Sequence, residues 1–224
     1  MLNKDELSFV SSHLNFWEKL NPTQKSMVAN NTTLMKYEKG KNIYNSETDC
    51  LGVVIVRSGE LRAYILSEDG REVTLYRLEP GSSCVLTASC ILRNITFDVH
   101  IDAEVDSEVF LLNVATFSKL SEQNVHVENF AYRTSMDRFS DVMWAMEQIL
   151  FMSFDKRLAI FLLDEISKNG SSEINLTQEQ IAKYIGSARE VVSRMLKTFQ
   201  KDGIVELSRG TIRVIDKNKL KKLI

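Results

Sequence analysis

The sequence predicts an α+β chain in three successive parts: a small antiparallel β-roll, one long helix, and a pair of short helices closed by a hairpin. Three observations carry that prediction. Short β-branched and aromatic runs between residues 32 and 112 are punctuated by Gly59, Gly70 and Gly81, 11 residues apart, the strand-and-turn rhythm of a small barrel or sandwich. Residues 121–152 contain neither glycine nor proline and carry apolar side chains at heptad spacing. From Thr177 to Lys197, two amphipathic periods flank Gly186.

Size and composition set the frame. A chain of 224 residues can hold two modest domains, each with its own core. Its 44% hydrophobic and 26% charged residues are ordinary for a globular protein. No apolar run reaches the roughly 20 residues that span a bilayer, and the opening Met-Leu-Asn-Lys-Asp-Glu lacks a signal-peptide core, so a cytoplasmic location without membrane contact is expected. Three cysteines, Cys50, Cys84 and Cys90, do not make a disulfide framework. The net charge of −2 hides an asymmetry: from Asp155 onward 14 Lys and Arg face 9 Asp and Glu, while the first 154 residues carry an excess of 7 acids. A basic C-terminal part behind an acidic N-terminal one suits nucleic-acid binding by the former.

The elements follow in order. Residues 4–30 read as helical, with Leu7, Val10, Leu14, Trp17 and Leu20 on one face and a break at Asn21-Pro22-Thr23, where Pro22 fits a first helical turn. Strands are expected at 51–56, 60–66, 72–78, 99–104 and 108–113, and Asp69-Gly70 predicts a type I′ hairpin. In the long helix, Tyr132, Met136, Phe139, Met143, Met146 and Leu150 repeat at alternating steps of four and three. Such a seam favours packing against a partner helix, which predicts a homodimer interface. Domain boundaries are expected at 1–120 for the roll with its N-terminal helices, 121–152 for the dimer helix, and 153–224 for the remainder.

That remainder begins with a break at Ser153-Phe154-Asp155, then a helix closed by Asn169-Gly170. Thr177 and Gln180 have the chemistry of a capping box. Gly186 supplies a tight turn, and a second helix starting near Ser187 or Ala188 buries Val192, Met195, Leu196 and Phe199. Its other face keeps Arg189, Glu190, Ser193, Arg194 and Lys197. Arginine can bind guanine O6 and N7 in a bidentate way, and glutamate can accept from cytosine N4, so this face suits a DNA major groove. Two short strands at 204–207 and 211–215, around Arg209-Gly210, add a wing.

Taken together, the chain resembles the bacterial Crp/Fnr family of transcription regulators over nearly its full length. The resemblance rests chiefly on Gly186–Lys197, with Phe154-Asp155-Lys156-Arg157-Leu158-Ala159, Gly59-Glu60-Leu61 and Gly81 as further landmarks. It implies an effector-binding roll of the cyclic-nucleotide or cupin-like type, a dimerisation helix and a winged helix-turn-helix. It also implies that Arg189, Glu190 and Arg194 read base edges, and Glu190-Val191-Val192-Ser193-Arg194 matches the pattern of the Fnr branch, which favours TTGA-type half-sites. Thr177, Gln178, Ser187, Ser193 and Lys197 complete the expected DNA-binding set. The expected partners are palindromic duplex DNA, a second copy of the chain, and RNA polymerase where the outcome is activation.

The family's ligand motifs are missing. Val85-Leu86 stands where a cyclic-nucleotide pocket has Gly-Glu, and no basic residue accompanies Thr96-Phe97 where Arg-Ser holds the phosphate. A buried phosphate needs several donors to offset its desolvation, so cAMP binding is not expected. Three cysteines, none before Cys50, cannot supply four ligands to an Fnr-type iron–sulfur cluster. A haem would draw on His13, His100 or His126, and isolated histidines more commonly pack or face solvent; neither haem nor metal is expected. Cys84, Thr87, Ser89 and Cys90, with Val142 and Met143 of the long helix, are the candidate contacts for a small, weakly polar effector or a redox signal. A cupin-type metalloenzyme is the rival from another class, disfavoured by the scattered histidines. A protein-interaction module with a degenerate roll is the other rival. No enzymatic activity is expected.

Overall fold

The computed structural model describes residues 2–45, 50–85 and 99–224. The chain divides into two compact units: Met1–Leu66 with Leu75–Val142, and Ser67–Thr74 with Met143–Ile224. The α+β reading holds, with antiparallel sheet in the first unit and helices with a small sheet in the second.

The first unit opens with α1 (Lys4–His13), capped reciprocally by Asn3 and Glu6, and α2 (Pro22–Asn30), capped by Asn21 and Gln24 with Pro22 in its first turn. The helical spacing from Leu7 to Leu20 predicted a longer first helix. Instead Leu14 turns extended, and only a single 3₁₀ turn, Trp17–Lys19, follows. Leu14 and Phe16 are both 1% exposed, so two residues at a strand-like spacing are buried together and local helix propensity gives way to packing.

Among the described residues, eight strands make the roll. Sheet one runs β1 (Thr32–Tyr37), β8 (Ser107–Asn113), β3 (Gly52–Ser58), β6 (Ser83–Cys84). Sheet two runs β2 (Asn42–Tyr44), β7 (His100–Ala103), β4 (Leu61–Leu66), β5 (Glu72–Leu78). The central strands β3 and β8 are buried on both faces, which explains the unbroken run Val53-Val54-Ile55-Val56. Val53, Ile55, Phe110 and Leu112 join the core shared with the helices, including Phe117 and Leu120 of α3 (Val114–Gln123). Val54, Val56 and Val109 face the roll interior with Leu61, Leu78 and Ile101. The Asp69-Gly70 hairpin forms, but not as type I′. Only Gly70 has positive φ (+79°), and its N–H donates to Ser67 O at 2.9 Å, so a single glycine absorbs the left-handed step.

On the face of sheet two away from the roll interior lies a polar ladder. Arg62, 3% exposed, stacks over the Tyr64 ring at 4.1 Å and pairs with Glu104 at 2.7 Å. Asp102 accepts from Asn42 Nδ2 at 2.8 Å and from Tyr64 Oη at 3.0 Å, with Arg62 4.0 Å away.

The long helix expected over 121–152 is α4, Val125–Phe151; Ser121–Gln123 instead end α3, which stops at Asn124. The second unit then sets α5 (Phe154–Asn169), α6 (Gln178–Ile185) and α7 (Arg189–Lys201) around Leu158, Leu162, Ile181, Val192 and Leu196, each 0% exposed. Gly170, in the left-handed region, ends α5. The hairpin of β10 (Val205–Ser208) and β11 (Thr211–Val214) is joined by β9 (Glu173–Ile174), and α8 (Lys217–Lys221) closes the chain. Neither β9 nor α8 has enough residues to leave a periodic signal in sequence.

Replacing Arg62 by Leu removes the guanidinium that faces Asp102 and Glu104 on a largely buried sheet face. The expected loss is about 3–5 kcal/mol of unfolding free energy, measured by urea titration of the full chain. A loss below about 1 kcal/mol would mean that the ladder is solvated rather than buried.

Candidate nucleic-acid and effector sites

The candidate reading face is formed by the α6–α7 pair. Thr177 Oγ1 accepts from Gln180 N–H at 3.1 Å, and Gln180 Oε1 accepts from Thr177 N–H at 2.9 Å, a complete capping box. Gly186 takes φ +60° and lets the chain turn, after which Ala188 stands at the start of α7 without a side-chain cap. Val192, Leu196 and Phe199 anchor one face of α7 in the core, with Met195 packed at its edge.

The opposite face is open. Arg189, Glu190, Arg194 and Lys197 are exposed, and Ser193 and Ser187 are half-buried. Among the described residues no hydrogen bond or ion pair engages the side chains of Arg189, Glu190, Arg194 or Lys197, although Glu190 and Arg194 stand one turn apart. A surface cluster kept for helix stability would be expected to pair internally at that spacing. Uncommitted donors and one acceptor at the helix start instead retain their capacity for base edges. Thr177 is exposed and Gln178 half-buried at the amino end of α6, where free backbone N–H groups favour an anion.

Two supports of this face are not visible in sequence. Arg157, at the start of α5, donates from Nη1 to Ile185 O at 3.0 Å, tying down the last turn of α6, and burial lowers its pKa. The wing is braced by Arg213, whose Nη2 meets Glu173 Oε1 of β9 at 2.9 Å. Only the register of β9 against β11 brings these two together. At the preceding break, Asp155 is held below the usual carboxylate range, chiefly by the hydroxyl of Ser153.

The roll residues are brought together less completely. Cys84 is fully buried, its Sγ 3.9 Å from the hydroxyl of Tyr76. Burial pushes the Tyr76 phenol well above its ordinary range, and Cys84 adds to the shift. The guanidinium of Arg138, on α4, lies 4.9 Å from the centre of the Tyr76 ring and pairs with Asp141 at 2.9 Å. Val142 packs against the roll interior, whereas Met143 is 46% exposed. Thr87, Ser89 and Cys90 lie outside the described residues. Tyr76 and Arg138 were not singled out in the sequence, because a lone Tyr in a strand and a lone Arg on a helix carry no pattern. The three histidines stand apart: His13 stacks on Phe9, His100 on Tyr64, and His126 is on α4.

The seam of α4 is exposed throughout. Tyr132 is 57% exposed, Met136 63%, Phe139 57% and Leu150 63%, with Met143 and Met146 near 45%. Trp144, Ile149 and Phe151, which the heptad count passed over, extend the apolar surface.

Comparison with known proteins agrees with this division of labour. Residues 156–223 match the family description of a Crp-like helix-turn-helix domain, and residues 34–124 match that of a cyclic nucleotide-binding domain. A crystal structure from Eubacterium rectale, assigned to transcriptional regulators of the Crp/Fnr family, is 43% identical. It superposes with a TM-score of 0.90 over 95% of this chain and 98% of its own. The transcriptional regulatory protein btr of Bordetella pertussis is 25% identical over 198 residues, covering 85% of this chain and 80% of that protein. FixK2 from Bradyrhizobium japonicum, 22% identical, shares the fold with a TM-score of 0.69 over 86% of this chain and 96% of its own.

Proposed function

The chain belongs to the Crp/Fnr family of transcription regulators, and from that premise we propose that it is a homodimer reading palindromic DNA under the control of a ligand in its roll. At the coarser level it is a DNA-binding transcription regulator with an effector-type domain. The finer reading is carried by one observation: among the described residues, the exposed face of α7 keeps the side chains of Arg189, Glu190 and Arg194 without internal partners, while its other face is anchored in the core.

In this reading Arg189 and Arg194 donate to guanine O6 and N7, and Glu190 accepts from cytosine N4. Ser193 adds a hydroxyl on the same face. Thr177, Gln178, Ser187 and Lys197 contact phosphates, fixing register without reading sequence. The exposed seam of α4 from Tyr132 to Leu150 pairs with the same seam of a second copy, because an apolar stripe of this length in water gains by being covered. Two-fold symmetry then sets half-sites about 34 Å apart, one turn of the double helix. TTGA-type arms are the expected sequence.

The ligand is a small, weakly polar molecule or a redox signal reaching Cys84, Thr87, Ser89 and Cys90 of the roll and Val142 and Met143 of α4. Cyclic nucleotide, haem and iron–sulfur chemistry are left out of this proposal for want of phosphate donors and clustered ligands. The ligand regulates only by binding one arrangement of the dimer more tightly than another.

Selection from a random duplex library at fixed salt should enrich a palindrome with TTGA-like arms; enrichment of no sequence, with and without cell extract and reductant, would favour a protein-interaction role. Arg194→Ala should cost about 1–3 kcal/mol of binding and relax specificity at one position, whereas Lys197→Ala should weaken all sequences alike and lower the salt slope by about 1. Phe139→Glu should convert the dimer to monomer in analytical ultracentrifugation; an unchanged sedimentation coefficient would place the dimer contact elsewhere.

A further inference from the structure

A two-residue hairpin turn holds its side chains clear of the ladder that joins the strands, so what they face depends on where the hairpin is anchored. In the wing the last ladder pair is Ser208 with Thr211, which puts Arg209 and Gly210 at the tip. A Cβ built on Gly210 would meet nothing within 4 Å, so the tip stands in open space. Arg209 is exposed, and among the described residues no hydrogen bond or ion pair engages its side chain. The carboxylates of the small sheet are committed elsewhere: Glu173 and Glu206 pair with Arg213 at 2.9 and 3.7 Å. An exposed cation on a hairpin tip adds little to the stability of the fold, and its donors stay available to an anion outside it.

The place of the tip is set by β9. Ile174 and Glu173 pair with Ile212 and Arg213, and Thr211 Oγ1 donates to Asn175 Oδ1 at 3.0 Å. Asn175 stands two residues ahead of Thr177, the N-cap of α6. The wing tip is thereby tied beside the amino end of α6. Helix α7 begins at the opposite end of α6, past Gly186. The eight residues of α6 hold those two ends about 12 Å apart. The major groove of DNA is also about 12 Å wide. With the start of α7 in that groove, the amino end of α6 stands at the bordering phosphate strand. The tip beside it then faces that strand and the minor groove beyond.

Arginine is the side chain that suits such a place. The narrow minor groove of A·T-rich DNA concentrates negative potential and attracts an inserted cation. A guanidinium is more weakly hydrated than an ammonium, so entering a narrow groove costs it less. The minor groove distinguishes little beyond A·T from G·C, and one side chain is enough for that distinction.

We infer that Arg209 enters the minor groove bordering each recognised half-site and senses its width, which makes the wing tip a second specificity element beside α7. The inference rests on the regulator reading given above. It adds a preference for A·T pairs at positions that Arg189, Glu190 and Arg194 do not touch.

The test uses full-length protein and fluorescence anisotropy at fixed salt. The duplexes share the selected palindrome and differ only in the base pairs bordering each arm. Wild type should bind with A·T borders at least five-fold more tightly than with G·C borders. Arg209→Ala should bring the two within two-fold and still prefer the palindrome to a scrambled duplex. A wild type indifferent to the borders overturns the inference. So does a variant that keeps the border preference and only binds both duplexes more weakly, as loss of a phosphate contact would make it do. Inosine–cytosine borders separate the grooves, because they keep the guanine acceptors of the major groove and lack its minor-groove amino group. Wild type should bind them within two-fold of the A·T duplex; binding within two-fold of the G·C duplex refutes minor-groove reading. That comparison needs no variant, so it decides the matter even where Arg209→Ala fails to fold. Wild type that does not distinguish the palindrome from a scrambled duplex refutes the regulator reading and the role of Arg209 with it. Palindrome binding without a border preference refutes the role of Arg209 and leaves the regulator reading intact.

Discussion

The C-terminal unit depends on one constraint: α7 must bury one face completely while, among the described residues, the charged side chains of the other take no internal partner. Val192 and Leu196 at 0% exposure and Phe199 at 3% fix the rotation of the helix about its axis. Burying side chains of this size is worth about 1.5–3 kcal/mol each, far more than the few tenths available to an exposed charge pair. The apolar face therefore dictates where Arg189, Glu190 and Arg194 point. Everything else in the unit serves to hold that helix: Gly186 for the turn, Arg157 and Thr74 for the orphan carbonyls of α6, and β9 for the wing.

The N-terminal unit answers a different demand. Strands β3 and β8 have hydrophobic cores on both sides, and the polar residues of sheet two are confined to its other face. There, Arg62 pairs with Glu104, and Asp102 accepts from Tyr64 and Asn42. Pairing within such a network offsets part of the cost of burying its polar groups. Elsewhere in the roll, the Tyr76 hydroxyl meets Cys84, and Arg138, paired with Asp141, lies over the Tyr76 ring.

Helix α4 is where the two demands meet in one element. Its first half contributes Val127, Phe130 and Ala131 to the core shared with α1 and α3, while the heptad residues from Tyr132 onward are exposed. A helix can bury one stripe and expose another because its 3.6-residue turn presents separate faces. The sequence offered the seam clearly because one face of unbroken helix over 27 residues leaves a long periodic record.

What the sequence determined by itself was whatever is encoded locally and repeatedly. The capping boxes at Asn3, Asn21 and Thr177, the glycine ends at Gly170 and Gly186, the strand rhythm around Gly59 and Gly81, and the split of α7 all follow from short-range chemistry. Tertiary structure alone decided the rest. It ended α1 at His13 because Leu14 and Phe16 had to be buried together, and it left Asp69 at negative φ in a hairpin whose sequence predicted otherwise. It paired β9 with β11, set Arg138 over Tyr76, and brought Glu72 and Thr74 to Lys183 across more than a hundred residues. Periodicity and capping record what a residue does with neighbours a few positions away. Pairings between distant residues leave no such record, because their energy arises only once the chain has closed the loop that separates them.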